Sequence, residues 1–454
     1  METVTSSARD RSAEIDRCLS MIVPSASDEM KFVGMLILPK LLEHNDPENI
    51  ERVFKGMNFK FIERLLRTTH NEDAEVPDPV LKDIAVNVLS CFARFEALAT
   101  EQPMVDRIPA LSHLTPNDES DITLESMQIL LHAAVKKEGL VKMLDPDVLR
   151  NIFQVLLQTS KDMEREMCTQ LINSVYTRSC QLLHSEKIPS LSSALKYSLT
   201  TLVAILSRTL NNDQKILKFE ALNILSTVLP GIPSELMRQF KQEQEKKVDG
   251  WLDDLLGGLR QIMSSKLHDS QRDQAILLIA CLLRYFGNEW LFKSLQDTKS
   301  SKRRKEKASS DNMNDAANKA YAAANFPALL IHLVAIEAKI MIDNINDRVI
   351  QEHNEEKTIT NKQKQQRQEI MVPVYFEILE AAMEYLAANC ESNGMDSEML
   401  LKIRTTLSDM MDVVMELLKF MQGTKDDLED HMIAQACIRI VSIWMAEEGF
   451  EMPE

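Results

Sequence analysis

The sequence predicts an all-α protein, an armadillo- or HEAT-like α-solenoid whose stacked helical repeats wind into a right-handed superhelix. Three observations carry this. Strong helix formers (Leu, Ile, Met, Ala, Glu, Lys) dominate, while 454 residues hold only 11 Gly and 15 Pro and aromatics make up 5%. A large β protein would need turn glycines and aromatic strands. Apolar-periodic segments open near Pro79, Asp121, Lys161, Asn212, Ser270, Asn325, Ile370 and Thr424, roughly 40–58 residues apart, near the period of two- or three-helix repeat units. Finally, the stretch 264–292 is apolar almost all round from Ala275 to Leu283, so it needs neighbours on several sides.

In chain order, a polar start leads into an amphipathic helix over 13–22, ended by Pro24. Ser27 or Asp28 then caps an apolar helix through Phe32, Val33, Leu36 and Ile37 towards Leu42, with Pro39 placed to kink or divide it. Residues 53–66 give two short helices around Gly56, and the acidic 70–79 is a connector. Second periodic segments lie at 105–114, 148–157, 191–206, 236–240 with 251–263, and 399–420. Turn signals separate the segments at Asp145-Pro146, Ile188-Pro189, Pro230-Gly231-Ile232-Pro233 and Asn393-Gly394. In the central stretch, Ser270 can cap with Asp273 as the reciprocal partner, and Gly287 supplies a left-handed stop. Asn288 then starts a short turn that lets Trp290 and Leu291 fold back. The expected division is 1–298, helical repeats; 299–323, a basic, polar and disordered insertion; and 324–454, further repeats of one continuous solenoid. A polar segment at 346–369 reads equally as solvated helix or tether.

The net charge of −17 disfavours nucleic acid as a partner. It suits protein partners that offer basic or amphipathic segments. No stretch approaches the roughly 18–20 apolar residues of a membrane span, and the N-terminus is charged where a signal peptide is apolar. The expected location is therefore the cytoplasm, with access to the nucleus through the basic insertion at 299–323 as the alternative. The 7 Cys are scattered, mostly inside apolar runs (Cys91, Cys168, Cys281, Cys437), and read as reduced core residues; the apolar run around Cys281 raises its thiol pKa and argues against a nucleophile.

Asp426-Asp427-Leu428-Glu429-Asp430 spells the DDxxD string with which α-helical enzymes hold magnesium and diphosphate. Following Gly423-Thr424, it also reads as an acidic first helical turn, and no second metal motif accompanies it. No catalytic residue, metal ligand or cofactor is therefore assigned. Lys302, Arg303, Arg304, Lys305 and Lys307 form a candidate import signal or anionic-partner contact, weighed against a solvated linker. His132, His332 and His431 lack metal spacing, and Met410, Met411, Met415 and Met421 read as core filler or an adaptable groove. A karyopherin-like adaptor is a further alternative.

Several short segments, in order across most of the chain, resemble the neurochondrin family. They are Ile108-Pro109-Ala110-Leu111; Lys218-Phe219-Glu220 with Leu229-Pro230; Ser265-Lys266-Leu267, Gln271-Arg272 and Gly287-Asn288-Glu289-Trp290; Phe326-Pro327-Ala328-Leu329-Leu330 running on to Glu337; and Arg439-Ile440 with Trp444-Met445-Ala446-Glu447-Glu448. The resemblance implies an armadillo-like solenoid without enzymatic activity. It implies a cytoplasmic scaffold tied to neurite outgrowth, restraint of calmodulin-dependent kinase II, receptor tails, and trafficking and assembly factors. The palmitoylated N-terminal cysteines of animal members have no match, since the first cysteine is Cys18. The family continues with further repeats where this chain ends, at Met452-Pro453-Glu454. The last helix is thus expected to expose Ile440, Ile443 and Trp444, an interface for a homodimer or another partner.

Overall fold

Residues 2–42, 47–69, 76–114, 121–244, 250–307, 314–353, 362–389, 394–424 and 432–448 are described in a computed structural model. Among them there is helix and turn but no strand. The chain divides into two compact units, Met1–Ile205 with Gly231–Phe240, and Leu206–Pro230 with Lys241–Glu454. That boundary differs from the expected division around 299–323. It cuts a long helix, where composition gives no sign of a break.

The first unit begins with α1 (Glu2–Met21), α2 (Asp28–Leu42), α3 (Pro47–Gly56), α4 (Phe59–Leu66) and α5 (Asp78–Ala93). Ser27 is the cap of α2, its hydroxyl accepting from the Met30 amide at 3.3 Å. Asn58 caps α4 in the same way, accepting from Phe61 at 3.2 Å. The expected helix at 105–114 is the end of α7 (Gln102–Val105) and the short α8 (Ile108–Ser112), preceded by the single turn α6 (Glu96–Ala99). Pro103 and Pro109 sit in the opening turns of α7 and α8, where a missing N–H costs nothing. Then come α9 (Ile122–Ala133), α10 (Lys137–Met143), α11 (Pro146–Gln158), α12 (Asp162–Ser185) and α13 (Pro189–Asn212). One row packs α2 on α5, α5 on α9 and α9 on α12; a second runs α4, α8, α11 beside it. Between the rows the core is continuous, with Phe92, Phe153 and Tyr176 fully buried. The Phe54 ring meets Phe92 edge-on at 5.2 Å between centroids.

The second unit holds α14 (Ile216–Val228), α16 (Trp251–Met263), α17 (Asp269–Phe286), α18 (Glu289–Phe292), α19 (Thr298–Lys307), α20 (Asn314–His353), α21 (Lys362–Asn389), α22 (Ser397–Thr424) and α23 (Met432–Glu448). Between α14 and α16, α15 (Ser234–Gln244) spans the division. Helices α14, α17, α21 and α23 form one row, with α16, α20 and α22 beside it. Both units are thus stacks of helical layers, the all-α solenoid class the sequence predicts. The central helix α17 buries Ala275, Ile276 and 278–283, and Gly287 closes it at φ +80°. With ψ at −169° this is an extended, positive-φ conformation that glycine alone adopts without steric cost. Where α16 crosses the end of α13, a Cβ on Gly258 would stand 2.6 Å from Leu210 Cγ and 2.9 Å from its backbone. Only glycine permits that approach.

Four expectations are corrected here. Ser270 does not cap α17, which starts at Asp269 with no side-chain cap bond; Asp273 is instead taken by Arg367, at 2.6 and 2.9 Å. The described part of the expected disordered insertion is helical, in α19 and the start of α20. Its anchors are remote in sequence. Thr298 Oγ1 accepts from the Asp396 amide at 3.1 Å, and the Lys299 amide donates to the Gly394 carbonyl at 3.1 Å. The starts expected at Asn325 and Ile370 move upstream, so the helices run through Pro327 and Pro373, each freeing one carbonyl of the preceding turn. Finally, Tyr321–Gln351 is long and apolar enough to cross a membrane by length and composition. More than half of its most apolar window is buried in the protein (56%), through side chains such as Phe326, Leu330, Ile331 and Ile342.

Candidate functional site

Two surfaces stand out, one in each unit. In the first, α2 is apolar on both sides. Its inner face buries Gly34, Met35, Leu38 and Leu42. Met30, Val33, Leu36 and Ile37, spaced three to four residues apart, point out, with Leu36 52% exposed. Beside this strip a groove of about 720 Å³ runs along Phe32, Val33, Phe61, Leu65, Val76 and Leu81. Its floor is stiffened by charge: Lys31 Nζ lies 5.7 Å and Arg64 Cζ 5.2 Å from the Phe61 ring centroid. Asp28 joins both cations, and the Arg64 and Lys31 hydrogen bonds hold its carboxyl below the usual range.

In the second unit, ion pairs lace neighbouring helices. Arg272 meets Glu337 at 2.9 Å between α17 and α20. Arg367 clasps Asp273, and Arg284 clasps Glu377 at 2.5 and 2.6 Å, both between α17 and α21. Arg439 of α23 holds Glu380 of α21 at 2.9 Å. A cleft of about 470 Å³ lies among Arg284, Phe376, Glu377, Glu380, Met432 and Arg439. Burial raises the Glu380 carboxyl above its ordinary range, and Arg439 partly offsets this. Each of these charges answers another, which suits packing rather than proton transfer.

A family model, described as neurochondrin, matches residues 9–454. The chain belongs to the neurochondrin family. It is 22% identical to the neurochondrin homolog of Drosophila melanogaster over 454 residues, covering 96% of this chain and 54% of that protein. With neurochondrin of Bos taurus it shares 22% identity over 458 residues, covering 98% and 53%. The chain therefore spans about half the length of the curated relatives it matches. Among solved structures, an engineered protein aligns over 95% of this chain and 98% of its own, at 15% identity and a TM-score of 0.37. That likeness is too loose to inform function.

Several residues that carried the neurochondrin resemblance turn out to be fasteners. Arg272 and Glu337 pair with each other, and Arg439 holds Glu380. Lys218, buried, donates to the Leu210 and Asp213 carbonyls at 2.6 and 3.2 Å and to Gln261 Oε1 at 2.7 Å, closing the end of α13.

The basic cluster is only partly free. Lys302 bonds Asp396 and Glu398 at 3.0 and 3.2 Å, and Lys305 lies 4.3 Å from the Tyr321 ring centroid. Arg303 is exposed, while the Arg304 and Lys307 side chains fall outside the described residues. The expected bare terminal face is corrected. Ile440 is 0% and Trp444 7% exposed, with Ile443 half-buried. Contacts with α21 and α22 cover α23, and its exposed apolar side chains are Met432 and Ile438. The acidic string 426–430 and His431 lie outside the described residues. His332 Nδ1 sits 2.8 Å from Thr406 Oγ1, and His132 is exposed. Met410, Met411 and Met421 are buried core. Among the described residues, no three His, Cys, Asp or Glu side chains gather as a metal site would require.

Proposed function

We propose that the chain is a non-catalytic scaffold that binds other proteins through exposed helix faces. The observation that carries this reading is the outward strip of α2, Met30, Val33, Leu36 and Ile37, beside its apolar groove. Contiguous exposed apolar surface at helical spacing is what an amphipathic partner helix reads. The stacked-helix fold supports it, since each layer buries its apolar stripe on the next and leaves faces free for recognition. In finer terms, neurochondrin-family membership supports a cytoplasmic regulator whose partners are kinases, receptor tails or trafficking factors.

Crosslinking mass spectrometry on the native chain, compared with Val33→Asp/Leu36→Asp, is the test. Both positions face solvent, so the variant should keep its helical circular dichroism and lose a reproducible set of crosslinked partners. An unchanged partner set would overturn the reading.

A further inference from the structure

The helix α19 has two faces of opposite character. Thr298, Ser301, Lys302 and Lys305 share one face of the helix. Thr298 and Ser301 are buried, Lys302 is held by Asp396 and Glu398, and Lys305 covers the Tyr321 ring. On the opposite face Lys299 and Arg303, one turn apart, are exposed, and their side chains make no ion pair among the described residues. Lys293, just upstream, is exposed as well. In a chain of net charge −17 two exposed cations stand side by side here, whereas Arg272, Arg284, Arg367 and Arg439 of this unit are each matched to a carboxylate. The helix is fastened on one side and exposes two cations on the other.

We propose that the outward face of α19, with Lys299 and Arg303 as the contacting residues, docks a short acidic peptide segment of a partner protein. This rests on the reading of the chain as a protein-binding scaffold and adds a second, charge-selective surface to it. The overall acidity does not prevent such docking. At physiological salt the Debye length is about 8 Å, so distant carboxylates are screened while a peptide in contact with the two cations is not. A flat anionic bilayer is disfavoured, because a broad surface would meet the field of a chain whose net charge is −17. A nucleic acid would want aromatic platforms beside the cations, yet the Tyr321 ring is taken by Lys305.

The probe is a fluorescein-labelled twelve-residue peptide of alternating Glu and Ser, followed by fluorescence anisotropy with the full chain. The expected result is binding that weakens from low to physiological salt and weakens a further fivefold or so in Lys299→Glu/Arg303→Glu, two exposed pairs being lost. Lys299→Ala/Arg303→Ala serves if charge reversal disturbs the helix. Absence of peptide binding, equal affinity in the variants, or tighter binding to phosphatidylserine vesicles or single-stranded RNA would overturn the proposal. The Val33→Asp/Leu36→Asp chain should bind the peptide normally, which separates this proposal's failure from failure of the α2 surface.

Discussion

Replacing Arg439 with Met leaves Glu380, its side chain 9% exposed, without its cation. Cutting one partner from a fully buried pair costs about 3–5 kcal/mol. Here the guanidinium is 72% exposed, so solvent screening scales the loss down to about 1–2 kcal/mol. In a stack of repeats the damage stays local, so the readout is hydrogen exchange of the α23 amides, expected to quicken about 5–30-fold. Burial already places the Glu380 carboxyl above its ordinary 4.5. A folded-state pKa above the unfolded one means the folded chain holds the proton more tightly. Stability from that group is present below the unfolded value and lost as pH rises through the folded one. Removing Arg439 raises the carboxyl further, so the acceleration should be full at pH 7.5 and shrink as pH falls towards 4.5. Glu380→Gln in the Arg439→Met background should recover most of the protection. Equal acceleration at pH 5 and pH 7.5, or none, would refute the argument.

Lys218→Met should destabilise the second unit by about 2–3 kcal/mol, because it strips a charged donor from the Leu210 carbonyl and from Gln261; urea denaturation followed by circular dichroism measures it. Burial pushes the Cys168, Cys281 and Cys437 thiols up to about 12 and Cys180 to about 11. These four should resist a thiol-specific reagent at pH 8 until denaturant is added, and fast labelling of the native chain would contradict their placement. Because the thiols of the unfolded chain ionise first, near 9, their contribution to stability should fade as pH climbs from 9 towards 12.

Helix existence was legible wherever a local pattern decides it. The segment read at 251–263 is α16 residue for residue, and Gly287 stops α17 as its backbone freedom foretold. What stayed hidden depends on partners far along the chain. Arg367 and Asp273 are 94 residues apart, so nothing near Asp273 shows that it is already engaged and unable to cap a helix. The same holds for α19, whose composition reads as a disordered linker but whose inner face is tied to Gly394, Asp396 and Glu398. The outer strip of α2 could have been suspected from its sequence, since a helix apolar on every side either has neighbours all round or leaves one face bare. Only packing tells which.

Two of the ion pairs bridge the same couple of helices. Asp273 and Arg284 on α17 are answered by Arg367 and Glu377 on α21, in the same order along both helices. The two helices therefore run parallel, and the clasps sit about 16 Å apart along them at 1.5 Å per residue. Apolar seams tolerate sliding by one helical pitch, because leucine and isoleucine find similar hollows one turn on. Paired clasps at this separation do not: a slip of about 5.4 Å would break both together. They act as a vernier, setting the axial phase of one layer against the next, so any sequence change that lengthens one helix between its clasps must be matched in the other.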